Sequence, residues 1–337
     1  MDVCQETMNK FDYSKYCNRK VKAMSWQEQY EDLIYLLHSE DYVRRLLYVF
    51  YKKQQYLEAR EKSYDNYAVL IQHIKHGVDY FSTVHTIPFS IKPTLLYYGL
   101  IHFLKACMLL HDPNYPRSTS VLAHGVTTRK KKKKQYDFLS DDVKIQSKGL
   151  LPLVAEELFH VKLCIHQKYS LLCLLRQIVE LAPLFQELRN ETIAYPLEQQ
   201  NEHTILISQN HYTYYVKDFL TSHKQIKPID QGDIQLSFQN PISYSIPYPF
   251  TLSLTGKPYV LTYSPNESLV TEMIVHYLLL YYLSMLSRYD ASSWLQLVQP
   301  ENDEYILLLK YLTIATQKIP LCILNYIEQQ KKLVNHH

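Results

Sequence analysis

Residues 93–110 read "PTLLYYGLIHFLKACMLL". Pro93 suits the first turn of a helix, because the N–H it lacks would have no intrahelical partner there. The residues that follow are apolar nearly all round, which predicts a buried, central helix rather than a surface one. Tyr97, Tyr98 and His102 interrupt the apolar run. His102 lies one turn beyond Tyr98, so the two share a helix face. Core residues with satisfied polar tips and the wall of a ligand pocket both fit that pattern.

Helical signals extend in both directions. Upstream, Ser25-Trp26-Gln27-Glu28 has the S-x-x-E form of a capping box. Leu33, Ile34, Leu36 and Leu37, then Val43, Leu46, Leu47 and Phe50, then Val69, Leu70, Ile74 and Val78 recur at helical spacing. Downstream, 150–188 returns to a helical pattern, with Pro183 marking a kink or break. The stretch "MIVHYLLLYYLSML" (273–286) is too short and too rich in Tyr and His to span a bilayer comfortably, and predicts a second buried helix. Asp290 is placed to cap "ASSWLQLV", and Arg288 to complement the preceding helix C-terminus. A further helix is expected over 303–333.

Between 203 and 264 the period changes to two. "HTILIS", "DIQLSF", "PISYSI" and "FTLSLTGKPYVLTYS" alternate apolar and polar residues, the last turning at Thr255-Gly256-Lys257-Pro258. The expectation is a mainly α protein with a small antiparallel β insertion in its second half. It divides into a helical domain over 1–188, a β subdomain over 203–264, and C-terminal helices over 267–333 that pack on the helical core. Strands are expected only between 203 and 264.

Composition excludes several function classes. The six glycines are too scattered for G-x-G-x-x-G or G-x-x-x-x-G-K, which argues against Rossmann and P-loop nucleotide sites. The six cysteines form no C-x-x-C pair, so no zinc site or disulfide framework is expected. No G-x-S-x-G and no H-E-x-x-H occurs. The first residues, "MDVCQETMNKF", lack an apolar signal core. A cytoplasmic protein is expected, with no metal, no cofactor and no membrane partner, and with homo-oligomerisation open.

Net charge is only +3, so affinity for a polyanion needs a local cluster. One is present in a long polar connection, 111–142. Arg129, Lys130, Lys131, Lys132, Lys133 and Lys134 follow the His124-Gly125 turn and precede Tyr136 and Phe138. The aromatics fit base stacking or anchoring of the loop. With His124, the run is read as an anion-binding element for nucleic acid, nucleotide or an acidic protein partner. A solvated, non-functional loop is the plain alternative. The adjacent acids Glu156-Glu157 make a poor acid–base pair, because neighbours on a helix face apart.

"HGVTTRKKKKKQYDFLSDDVKIQSKGLLP" (124–152) and "HYLLLYYLSMLSRYDASSW" (276–294) resemble the two signatures of the bacterial YaaC-like family. That family's basic run mixes Arg with Lys, whereas here Arg129 alone is Arg, and only Arg offers a bidentate fork. The resemblance implies no settled activity. It points to purine metabolism, through genes that neighbour IMP dehydrogenase, and hence to a regulator that docks on such an enzyme. Residues 95–110 are further similar to the Tyr-Tyr-x-x-x-His helix of HEPN domains, many of which are metal-independent ribonucleases using R-x(4–6)-H. Arg117 and His124 fit that spacing. The resemblance would make His124 the proton carrier and Arg117 the stabiliser of phosphorane charge. Tyr98, His102 and Arg288 are the remaining pocket candidates.

Overall fold

The computed structural model describes residues 25–128, 137–211, 214–222, 226–228, 232–244, 246–262, 271–299 and 303–335. Helices α1 (Trp26–Gln29), α2 (Glu31–Leu37), α3 (Glu40–Lys53), α4 (Ala59–Thr83) and α5 (Lys92–His111) come first. Then α6 (Leu150–Glu157), α7 (Leu171–Leu175), α8 (Ala182–Arg189) and α9 (Tyr214–Ser222) alternate with short strands. The chain closes with α10 (Glu272–Tyr289), α11 (Ala291–Leu297) and α12 (Asp303–Asn335). The protein is mainly helical, with small antiparallel sheets.

Local chemistry accounts for many of the helix ends. Ser25 Oγ accepts from the Glu28 N–H while Glu28 accepts from the Ser25 N–H, the reciprocal pair of a capping box. Ser39 and Asp290 accept from the N–H groups of Tyr42 and Ser293 at the starts of α3 and α11. Pro93 stands in the first turn of α5. Pro183 does the same for α8, so it opens a helix instead of kinking one.

α5 is the hub. It packs against α4, α10 and α12, and most of its residues are buried. Two glycines set the α4–α5 approach. A Cβ on Gly77 would stand 2.5 Å from the Phe103 ring, and one on Gly99 2.8 Å from the Phe81 ring. Each helix thus seats a phenylalanine over the other's glycine, and the two rings stack at 5.6 Å. α5 and a window of α12 are long and apolar enough to cross a membrane, and 72% of each such window is buried inside the chain.

Three sheets form. Strands β1 (Val126–Thr128), β2 (Asp142–Ile145) and β3 (Lys168–Ser170) make one, in the order β1-β2-β3. This corrects the expectation that strands occur only between 203 and 264. The strands are three or four residues long, too short for an alternation to stand out, yet Val126, Val143, Ile145 and Tyr169 are all buried. β3 also divides 150–188, which is not one helix.

Strands β4 (Ala194–Pro196), β5 (Glu198–Asn201), β6 (Thr204–Ile207), β7 (Ile226–Pro228), β8 (Ile234–Ser237), β9 (Phe250–Leu252) and β10 (Pro258–Leu261) make the other two sheets, ordered β4-β10-β9 and β5-β6-β8-β7. β9 and β10 are the expected hairpin, with Gly256 at φ +76° in its turn. "PISYSI" carries no strand among its described residues: Pro241 opens it and Pro247 follows it, neither with an N–H to give, and Ile246 N–H folds back to Ser243 O. α9 lies inside the segment read as a β subdomain, 203–264.

Candidate functional site

His124 is held by backbone before its side chain does anything. Gly125 has φ +77° and Gly149 φ +133°, and the two chains cross so closely that a Cβ on Gly149 would stand 2.3 Å from Gly125 N. Leu150 N–H donates to Ala123 O (2.7 Å) and Leu151 N–H to His124 O (3.3 Å), so orphan donors of the α6 N-terminus clamp the residues around the turn. From the other side Tyr277 of α10 donates its hydroxyl to His124 O at 2.7 Å.

The side chain closes a ring of hydrogen bonds. His124 Nδ1 lies 2.8 Å from Tyr97 Oη, and Tyr97 donates to Tyr277 Oη at 3.2 Å. Each phenol has one proton. The Tyr277 proton goes to His124 O and the Tyr97 proton to Tyr277, so Nδ1–H must be the donor to Tyr97. That assignment satisfies all three contacts and leaves Nε2 with a lone pair. Burial raises the Tyr97 and Tyr277 hydroxyls far above the usual phenol range, so both stay protonated. Tyr281 lies beside the assembly, its ring centre 5.5 Å from that of His124 and its plane tilted by 58°.

The surroundings are cationic. Burial lowers the His124 pKa, and the charges of Arg288 and Lys105 lower it further. Arg288, at the end of α10, donates to Tyr98 Oη at 3.3 Å. Its guanidinium lies over two aromatic rings, 5.6 Å from the centre of Tyr98 and 4.9 Å from that of Tyr289. Tyr289 is 71% exposed.

Along α5, Tyr98, His102 and Lys105 fall at i, i+4 and i+7, a partly exposed stripe on a helix otherwise largely buried. His102 joins two imidazoles of α4. Its Nδ1 is 2.9 Å from that of His73, and its ring centre is 4.8 Å from that of His76. Desolvation, then the neighbouring His76 and Lys105, pull His102 down to about 4. Desolvation, then His102, Lys105 and His76, do the same to His73. Among the described residues no carboxylate pairs with Lys105, Arg288, His73, His76, His102 or His124. No group of three or more His, Cys, Asp or Glu among them is arranged to hold a metal ion.

A model of the YaaC-like protein family matches residues 35–327. The chain belongs to the YaaC-like family. Comparison with curated proteins and with solved structures gives no match.

In this YaaC-like chain the two signature segments meet in space. The first supplies His124 and Gly125; the second supplies Tyr277, Tyr281 and Arg288. Of the residues singled out from sequence, His124, Tyr98, His102 and Arg288 fall on the patch. Arg117 is differently engaged: its Nε donates to Asp112 at 2.6 Å, and no hydrogen bond or ring contact among the described residues joins it to His124. The cations that act on His124 are Arg288 and Lys105. Arg129, Lys130, Lys131, Lys132, Lys133, Lys134 and Tyr136 lie outside the described residues. Phe138 is fully buried against Tyr282, an anchor and not a free stacking ring. Asp141 is buried and accepts from Tyr282 at 2.5 Å.

Sequence reasoning missed Lys105, His73 and His76. The polar stripe on α5 was the available signal for Lys105. His73 and His76 share a face at i and i+3, but only tertiary packing brings them to His102.

Proposed function

We propose that this protein binds single-stranded nucleic acid across the patch formed by α4, α5, the His124 turn and the end of α10. One observation carries the reading: a cluster of Lys, Arg and imidazole groups in which no described carboxylate balances the charge. Positive groups crowded together repel one another, and an incoming phosphate relieves that repulsion. Arg288, spread over Tyr98 and the exposed Tyr289, offers a base a stacking surface beside a cation, a feature that suits nucleic acid better than an acidic protein. The basic run from Arg129 to Lys134 follows β1 directly in the chain, and β1 begins two residues after His124. The likeness of α5 to the HEPN Tyr-Tyr-x-x-x-His helix belongs to the same reading, since those residues lie on or beneath the patch.

The test is a titration of a fluorescent 12-nucleotide single-stranded RNA across a salt series. Binding weakens with salt, with a log–log slope near −0.7 for each phosphate neutralised. Replacing Lys131, Lys132, Lys133 and Lys134 by Gln flattens the slope by roughly 2–3. Absence of binding at low salt contradicts the reading.

A second reading is metal-independent RNA cleavage, favoured by the hydrogen-bond ring that leaves His124 Nε2 with its lone pair beside Arg288. In that reading His124 takes the proton of a ribose 2′-hydroxyl and Arg288, not Arg117, faces the phosphate. Cleavage in EDTA that is lost in both His124→Ala and Arg288→Ala supports it; cleavage that survives His124→Ala rules it out.

A further inference from the structure

A second site lies away from the charged patch, where the strands meet the helical core. Residues 240–244 and 246–248 and strands β9 and β10 close over α5, the start of α10 and α12, and enclose a cavity of about 660 Å³. That is the size of a small-molecule pocket and far more than one or two waters need. Much of its wall is apolar, from Leu104 and Cys107 of α5, Ile246 of the covering segment, Met273 of α10 and Ile323 of α12.

Three residues that line it each carry a buried oxygen with no partner among the described residues: Gln177 Oε1, Asn325 Oδ1 and Thr271 Oγ1. Gln177 is only 2% exposed. Its amide is oriented by its nitrogen, which donates to Cys173 O at 3.4 Å, so the oxygen is the end left over. Asn325 Nδ2 lies 3.2 Å from Tyr30 Oη, a hydroxyl able to accept from it. Thr271 is the N-cap residue of α10, yet its side chain makes no capping bond. Buried polar atoms are nearly always paired, and leaving one unpaired costs stability. Three on residues that line one cavity, two of them amide acceptors, call for a molecule that brings hydrogen-bond donors.

The charged groups on the wall are already matched. Glu272 is held by Lys318 Nζ at 2.6 Å and by the Thr251 hydroxyl at 2.7 Å. Glu328 and Lys332 pair with each other at 3.9 Å. No free charge is left over in these pairs to select an ion. We infer that the cavity binds an uncharged, mainly apolar small molecule carrying N–H or O–H donors, independently of any nucleic acid on the patch.

N-phenyl-1-naphthylamine is a suitable probe: uncharged, apolar, with one N–H, and fluorescent when it leaves water. Titrated into the full chain, it gives a saturable rise in fluorescence at one equivalent. Its N-methyl derivative, which has no donor, binds about tenfold more weakly. Gln177→Leu weakens the parent probe about tenfold and brings the two probes level, with the melting temperature recording that the variant folds. Ile246→Trp, which fills the cavity, removes the saturable signal. Absence of saturable binding to the wild-type chain overturns the inference. So does equal binding of both probes to the wild-type chain. If Ile246→Trp does not fold, the donor-less probe and Gln177→Leu decide the matter.

Discussion

Two regions of this molecule concentrate charge and treat it in opposite ways. At the junction of α10, α12 and the strands, Lys318 is fully buried and meets carboxylates on both sides. Its Nζ lies 2.9 Å from Glu180 and 2.6 Å from Glu272. Glu180 also accepts from Leu254 N–H, and Glu272 from the Thr251 hydroxyl, so the cluster ties the β9 hairpin to the helices. Burial alone would lower the Lys318 pKa, but Glu180 and Glu272 raise it above its ordinary value. On the patch of α4, α5 and α10 the cations and imidazoles have no such partners among the described residues. A buried charge must be paired where it stands. A half-exposed cluster can wait for its partner to come from solution. The first arrangement is architecture, and the second is what the proposed anion-binding reading rests on.

The largest effect expected comes from breaking the paired region. Lys318→Met strands two largely buried carboxylates and should cost about 3–5 kcal/mol in urea unfolding. A loss under about 1 kcal/mol would show that the cluster is not holding the strands to the helices. Next comes the unpaired region. Arg288→Ala should leave stability within about 0.5 kcal/mol, as at exposed sites, yet weaken single-stranded RNA about tenfold, equivalent to about 1.4 kcal/mol. Equal RNA affinity in wild type and variant would remove Arg288 from the site.

Acid separates the two regions further. His73 and His102 have folded pKa values of about 4, below the ordinary 6.5, so the unfolded chain takes up protons first. Their contribution is complete above about pH 6.5 and falls away as pH drops towards 4. For Glu272, burial works to raise the carboxyl, but Lys318 and His276 outweigh it and hold it below its ordinary value of 4.5. Its contribution is therefore complete above that value and is lost only in stronger acid. A melting-temperature series should show a first decline between about pH 6.5 and 4 that His102→Gln flattens, and a later one that it leaves alone. The smallest effect is Tyr97→Phe, which opens the hydrogen-bond ring and should cost about 0.5–1.5 kcal/mol in the same unfolding assay.

The helical frame was largely legible from sequence because its signals are local. A capping box at Ser25, a proline in the first turn of α5 and the long apolar run of α10 each state their structure within a few residues. The β1-β2-β3 sheet was not legible, since three-residue strands carry no period and owe their existence to partners tens of residues away. The site divides in the same way. His124 and Arg288 stood out beside a turn and at a helix end. Arg117 stood out equally, by its spacing to His124, yet Asp112 five residues away engages it. The histidines of α4 reach His102 only through the close α4–α5 packing that Gly77 and Gly99 permit, a consequence of which helices pack together rather than of any motif.

The central claim is that the patch waits for phosphate. An anion favours protonated imidazole, so bound nucleic acid must raise the pKa of any histidine it neutralises. The direct measurement is the NMR titration of the histidine ring resonances, with and without saturating single-stranded RNA. The account predicts that His124 and His102 rise by about one unit or more, equivalent to about 1.4 kcal/mol of coupling each. Unchanged values for both His124 and His102 in the presence of bound RNA would contradict it.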